Sequence, residues 1–247
     1  MFDIDANRYQ TGSRNMTVIY AIGDIHGEAV RLETLHKLID ERHDLLFSGR
    51  PKKLIHLGDY VDRGRDSFGV IEQLMALQSR MGKDCICLRG NHEEMMLTGL
   101  TANKPSAYDN WLANGGEDTV ASYRRANVDP IPTGHINWLK SLPSIHREPE
   151  DKLIFVHAGI DPIEYPNDRE GVYLWTRARR FYEVENWQNE ALEGWTVVHG
   201  HTPTEDFYPE HVSAQSSRIN LDTGAVFGGR LTAAIFDNGA PVRYIYA

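Results

Sequence analysis

The sequence predicts an α/β fold: a sandwich of two mixed β-sheets with helices on the outside. In the first half, three apolar, strand-like runs each pass through a glycine-bearing loop into a helical stretch. In the second half short apolar runs return, punctuated by Gly and Pro. The strand ends carry the third observation. Gly23-Asp24-Ile25-His26-Gly27, Gly58-Asp59-Tyr60-Val61-Asp62-Arg63-Gly64 and Gly90-Asn91-His92-Glu93 each follow one of the three early runs.

Residues 1–16 are polar and read as a flexible N-terminal segment, with 17–247 as a single domain. Val18 to Ile22 reads as a buried strand. From Glu28 to Arg42, Val30, Leu32, Leu35, Leu38 and Ile39 recur at helical spacing. Lys53 to Leu57 is the second strand, and Ser67 to Met81 the second helix, with Val70, Ile71, Leu74, Met75 and Leu77 inward. Cys85 to Leu88 is the third strand, and a third helix starts near His92. Alternating strands and helices imply parallel pairing with right-handed crossovers. Ligands then bind beyond the carboxyl ends of the strands, where all three glycine-bearing strings lie.

From Ala107 to Leu142 the chain reads as helical and polar. Asn114-Gly115-Gly116 interrupts it, and Asp129-Pro130-Ile131-Pro132 forms a loop. Strands are expected again at Leu153–Val156, Thr196–Val198, Ile219–Leu221, Leu231–Phe236 and Val242–Tyr246, with a turn at Gly228-Gly229.

Composition narrows the function. With 35 acidic against 26 basic residues the formal charge is −9, which argues against unspecific nucleic-acid binding. No signal peptide and no membrane-length apolar run is visible, so a cytoplasmic location is the expectation. The two cysteines, Cys85 and Cys87, point to one face of a strand and read as buried reduced thiols. One C-x-C with no second pair argues against a zinc site.

Carboxylates and imidazoles at adjacent strand ends can converge on metal ions. Asp24 and His26 leave one strand together and can share an ion. Asp59 ends the neighbouring strand and is placed to bridge two, and Asn91 offers a neutral oxygen. Paired divalent ions clamp a phosphate and lower the pKa of bound water, so this pattern points to phosphate-ester cleavage. The second half repeats strand, ligand and glycine at Phe155-Val156-His157-Ala158-Gly159 and at Val198-His199-Gly200-His201. Spacing alone leaves open whether His199 or His201 binds. His36, His43 and His56 read as packing or surface residues, and Trp111 and Trp175 as groove or core.

These strings resemble the phosphoprotein phosphatase family of calcineurin-like metallophosphoesterases, most closely the bacteriophage lambda-type bacterial serine/threonine phosphatases. The likeness extends through Trp111-Leu112-Ala113-Asn114-Gly115-Gly116, Leu174-Trp175-Thr176-Arg177, Gly200-His201-Thr202-Pro203 and Leu221-Asp222-Thr223-Gly224. It implies a first metal on Asp24, His26 and Asp59, and a second on Asp59, Asn91, His157 and His201. It implies His92 as general acid, Asp62 as its orienting partner, and Arg63 and Arg177 on the phosphate oxygens, with Asn91 beside them. The family uses manganese, or iron and zinc. The expected reaction is direct attack by a hydroxide held between the metals on a phosphorylated protein or peptide, serine/threonine or dual-specificity. A nucleotide hydrolase such as a symmetrical diadenosine tetraphosphatase is the alternative, and a non-catalytic metal-binding module ranks third.

Overall fold

The computed structural model describes residues 17–247, and the segment 1–16 expected to be flexible lies outside the described residues. The first half alternates as expected: β1 (Val18–Ile22), α1 (Ala29–Phe47), β2 (Lys52–His56), α2 (Ser67–Met81), β3 (Cys85–Cys87) and α3 (Asn91–Thr101). The middle comprises α4 (Pro105–Trp111), α5 (Glu117–Arg125) and α6 (Thr133–Ser141). There follow β4 (Ile145–Glu148), β5 (Leu153–Val156), α7 (Glu170–Trp175), α8 (Arg179–Tyr182), β6 (Thr196–His199), β7 (Glu210–Ser213), β8 (Ser217–Asn220), β9 (Thr232–Phe236) and β10 (Arg243–Tyr246).

Two five-stranded sheets form, ordered β10-β9-β1-β2-β3 and β4-β5-β6-β8-β7. Both are mixed. β1, β2 and β3 are parallel, as are β5, β6 and β8, while β9, β10, β4 and β7 run antiparallel to their neighbours. Alternation along the strands sorts the core into layers. Ile19, Ala21, Ile55, Phe155, Val198 and Ile219 pack between the sheets. Val18, Tyr20 and Ile22 face outward onto α1 and α2 through Leu32, Leu35, Val70 and Leu74. Ile154 and Val156 face the other way, against Tyr173, Phe181 and Trp187. Strands buried on both faces need unbroken apolar runs, which is why these strands were legible.

Three expectations change. Val30 is 77% exposed rather than inward, because α1 presents Leu32, Leu35 and Ile39 to the sheet and Val30 lies on the opposite side of its first turn. β4 and β7 were not anticipated. Each is an edge strand, mostly polar and at most half-buried, so neither carries an apolar run. The expected break at Asn114-Gly115-Gly116 is a wide helical turn over Leu112–Gly116, carried by Gly115 at φ 106°.

Candidate dinuclear metal centre

The parallel strands end together and deliver their loops to one place. Asp24 and His26 follow β1, Asp59 follows β2, Asn91 and His92 open α3 after β3, His157 follows β5, and His201 follows β6. All seven are buried. Close backbone approach brings them together. A Cβ on Gly200 would fall 2.0 Å from Asp24 Oδ1, and one on Gly90 would fall 2.2 Å from Asp59 Oδ1. His26, Asp59, Asp62, Arg63 and His201 all adopt φ between 43° and 72°. Left-handed backbone at non-glycine residues costs about 1–3 kcal/mol each and gathers where surrounding structure enforces it.

Two groups of ligand atoms result. His26, Asp59 and His92 form one, and Asp59, His157 and His201 the other, so Asp59 is common to both. In the first, His26 Nδ1 lies 2.8 Å from the Val61 carbonyl and donates to it. Its Nε2 therefore carries no proton, accepts from Arg63 Nη1 and lies 3.4 Å from Asp59 Oδ2. In the second, His157 Nδ1–H donates to the Leu57 carbonyl at 3.1 Å, which turns Nε2 toward the other side chains. That Nε2 sits 2.8 Å from Asn91 Oδ1, 3.3 Å from Asp59 Oδ1 and 3.2 Å from His201 Nδ1. His201 Nδ1 is also 2.9 Å from Asn91 Oδ1, while its Nε2 is buried without a protein partner among the described residues. Lone pairs packed this closely repel unless a cation or a proton lies among them, so the donor set fits a divalent ion. Asp24 turns its carboxylate to the His201 backbone N–H, at 3.0 Å from Oδ2.

The electrostatics agree. Burial alone would raise Asp59, but His157, His92 and His26 override it and hold its carboxyl well below the usual range. Burial likewise opposes protonation of His157, yet the Asp59 carboxylate lifts it to about 9. Burial depresses His26 to about 3, and burial with the neighbouring His157 depresses His201 to about 2. Asp24 is pushed well up by burial and by Asp222. Buried anionic demand at Asp59 is thus met by a proton on His157, and a divalent ion meets the same demand more strongly.

Beside these two groups lies a hydrogen-bonded pair. His92 Nδ1 is 2.7 Å from Asp62 Oδ2, and both side chains are essentially inaccessible. Asp62 is held in turn by the Trp111 indole N–H, at 2.9 and 3.1 Å, and by the Thr119 hydroxyl at 2.8 Å. Trp111 is thus fully buried and supports Asp62 rather than lining a groove. Arg63 is exposed at the rim, 2.8 Å from His26 Nε2. Arg177 is also exposed, and its charge helps depress His201. Its neighbours Arg179 and Arg180 are engaged elsewhere, with Glu183 and Asp161.

His199 does not join the centre. Two residues apart on a strand would put both histidines on one face, but His201 at φ 71° leaves the strand path and turns inward. His199 Nδ1 instead lies 3.1 Å from the Gly200 carbonyl, and its ring packs edge-on against Phe181.

Three residues at the site escaped the sequence reading besides Trp111's role. Glu93 Oε2 accepts the N–H groups of Asp59 and Gly90 at 2.9 and 2.8 Å, and Oε1 accepts Tyr60 at 2.7 Å and Val61 at 3.3 Å. Burial and the adjacent Asp59 raise Glu93 to about 7. Thr119 carried no sequence signal. Asp222 did: it follows β8 and precedes Gly224, the same strand–carboxylate–glycine order as Asp24, and burial lifts it to about 6.

Residues 17–236 match the family model of calcineurin-like phosphoesterases. A Bacillus cereus bis(5'-nucleosyl)-tetraphosphatase PrpE, described as asymmetrical, is 30% identical over 229 residues, covering 86% of this chain and 87% of that protein. Serine/threonine-protein phosphatase 1 of Salmonella typhimurium is 28% identical over 240 residues, covering 90% and 93%. Among solved structures, a candidate diadenosine tetraphosphatase superposes with a TM-score of 0.58 at 26% identity, over 95% of this chain and 99% of that one. A Saccharomyces cerevisiae protein serine/threonine phosphatase superposes with a TM-score of 0.61 at 15% identity, over 94% and 81%, a likeness of fold.

Proposed function

Because the chain belongs to the calcineurin-like phosphoesterase family, we propose that it is a protein serine/threonine phosphatase, with residues 17–247 acting as one catalytic unit. Asp24, His26 and Asp59 would hold one divalent ion, and Asp59, Asn91, His157 and His201 the other, with manganese the first choice and iron or zinc the alternatives. Such a pair supplies Lewis acidity that neutralises phosphate charge and acidifies water.

The residues of the chain do the rest. Arg63 and Arg177 bind the equatorial phosphate oxygens, where planar guanidinium forks suit two oxygens at once. His92 donates its Nδ1 proton to Asp62, so Nε2 is the atom that delivers a proton to the departing alcohol. Hydrogen-bonded Asp62 favours that tautomer and stabilises the imidazolium. Trp111 and Thr119 fix Asp62.

One observation carries the protein-phosphatase reading: the buried His92–Asp62 pair at 2.7 Å. Serine and threonine alkoxides are poor leaving groups and need a proton, whereas a nucleotide phosphate leaves readily without one. A second reading, hydrolysis of a dinucleoside tetraphosphate, draws support from the PrpE relative and from two exposed aromatics beside the centre. Trp175 is 43% exposed with its ring 6.3 Å from that of His201, and Phe227 is 53% exposed under the Arg63 guanidinium. Either ring can stack a nucleobase. Parallel kinetics on a phosphoserine peptide, a phosphotyrosine peptide and diadenosine tetraphosphate, with manganese supplied, test the choice. Highest kcat/KM on a phosphopeptide is expected, and a preference for the dinucleotide overturns the reading.

The charge of −9 argues against a nucleic-acid partner, and a cytoplasmic location is part of the proposal. Among the described residues no helix is long and apolar enough to cross a membrane.

A further inference from the structure

A second metal-ligating cluster lies outside the centre, on the helix-facing side of the first sheet. β2 and β3 pair in parallel with His56 opposite Cys87 and Leu54 opposite Cys85, so His56, Cys85 and Cys87 share one face. Their ligand atoms all lie within 4.8 Å of one another, and His56 Nδ1 is 3.8 Å from Cys87 Sγ. All three residues are buried. Behind His56, on the far side of its ring, His36 of α1 places Nε2 at 3.0 Å from His56 Nε2.

We infer that His56, Cys85 and Cys87 form a binding site for a thiophilic divalent cation, zinc(II), separate from the dinuclear centre. Zinc bonds of about 2.3 Å to sulfur and about 2.0–2.1 Å to nitrogen put tetrahedral ligand atoms roughly 3.5–3.8 Å apart. The His56–Cys87 distance already meets that, and the remaining atoms need only a modest contraction. The two cysteines are the chain's complement of thiols, and neither forms a disulfide. Both cysteines bind as thiolates, so a 2+ ion with two thiolates and a neutral imidazole gives a site of zero net charge. Neutrality is what a fully buried position requires. His36 completes the arrangement. Accepting the His56 Nε2 proton keeps Nδ1 bare for the ion, as a metal-bound imidazole usually needs from a neighbour. A lone C-x-C hid this site, because the third ligand comes from the next strand rather than from a second cysteine pair.

The position gives the ion a consequence. It would clip β2 to β3 three residues before Asp59 and four before Asn91. The Tyr60 hydroxyl already joins the same two strands, through the His56 and Leu88 carbonyls at 3.2 and 2.6 Å.

Cobalt(II) titration of the full, metal-stripped chain tests the site. Thiolate-to-cobalt charge-transfer absorption can arise only here, because the dinuclear centre contains no sulfur. One thiolate-bound cobalt per chain is expected, displaced by zinc, and the band should persist in Asp59→Asn. His36→Ala should weaken cobalt binding roughly 10–100-fold while the band remains. His56→Gln, checked for folding by circular dichroism, should weaken it further. Absence of the band in the saturated wild-type chain overturns the inference, and that arm needs no variant to fold. Unchanged affinity in folded His56→Gln also overturns it.

Discussion

Replacing Glu93 by Gln tests how the centre is held together. The carboxylate takes four backbone N–H groups, from Asp59 and Gly90 on Oε2 and from Tyr60 and Val61 on Oε1. Glutamine keeps the length of the side chain but offers one acceptor oxygen. The least costly orientation leaves the amide nitrogen facing Tyr60 and Val61, because the Val61 contact, at 3.3 Å, is the weakest of the four. One strong and one weak buried donor then lose their acceptor, at ~1–3 kcal/mol for each full loss. A total of about 2–4 kcal/mol is expected. Urea unfolding of the metal-stripped Glu93→Gln chain reads it directly. Since Oε2 also sets the backbone that carries Asp59 and Asn91, manganese affinity should fall roughly 10–100-fold, as for other residues that orient metal ligands. A stability change below about 0.5 kcal/mol with unchanged manganese affinity would refute the reasoning, because it would mean the four N–H groups do not depend on this carboxylate.

His92→Asn should retain both metals yet lower kcat on a phosphoserine peptide by about 10²–10⁴-fold, with a smaller loss on p-nitrophenyl phosphate. Equal losses on the two substrates would contradict a proton-donor role. His201→Ala should lose metal by elemental analysis while His199→Ala retains it, and the reverse would move the ligand to His199. Metal affinity should depend on pH through His157, whose pKa without metal is raised to about 9. Binding needs the neutral ring, so below that value the ion displaces a proton and affinity should rise about tenfold per pH unit. Calorimetry in buffers of different ionisation enthalpy measures the released proton, and none released at pH 7 would contradict the assignment.

What was legible in the sequence follows from where the signal is local. Asp24, His26, Asp59 and Asn91 each sit within a few residues of a strand with a buried apolar run, so that run announces the candidate ligand. His157 and His201 repeat that order. Glu93, Trp111 and Thr119 were not legible in their roles, because each acts across the chain: Glu93 on a loop more than thirty residues earlier, Trp111 and Thr119 on Asp62 from 49 and 57 residues away. That His201 rather than His199 faces Asn91 and His157 rests on one backbone angle, the left-handed His201, which spacing cannot reveal. Strands β4 and β7 stayed hidden for a different reason: Ile145–Glu148 and Glu210–Ser213 are mostly polar and at most half-buried, so neither carries an apolar run.

The central claim is a phosphoesterase centre that works with two ions sharing Asp59. Manganese titration of the metal-stripped chain, followed by turnover of p-nitrophenyl phosphate, tests it most directly. Turnover should be negligible without metal, reach its plateau at two manganese ions per chain, and be lost in Asp59→Asn across the titration. Full turnover without manganese, or a plateau at a single ion, would contradict it.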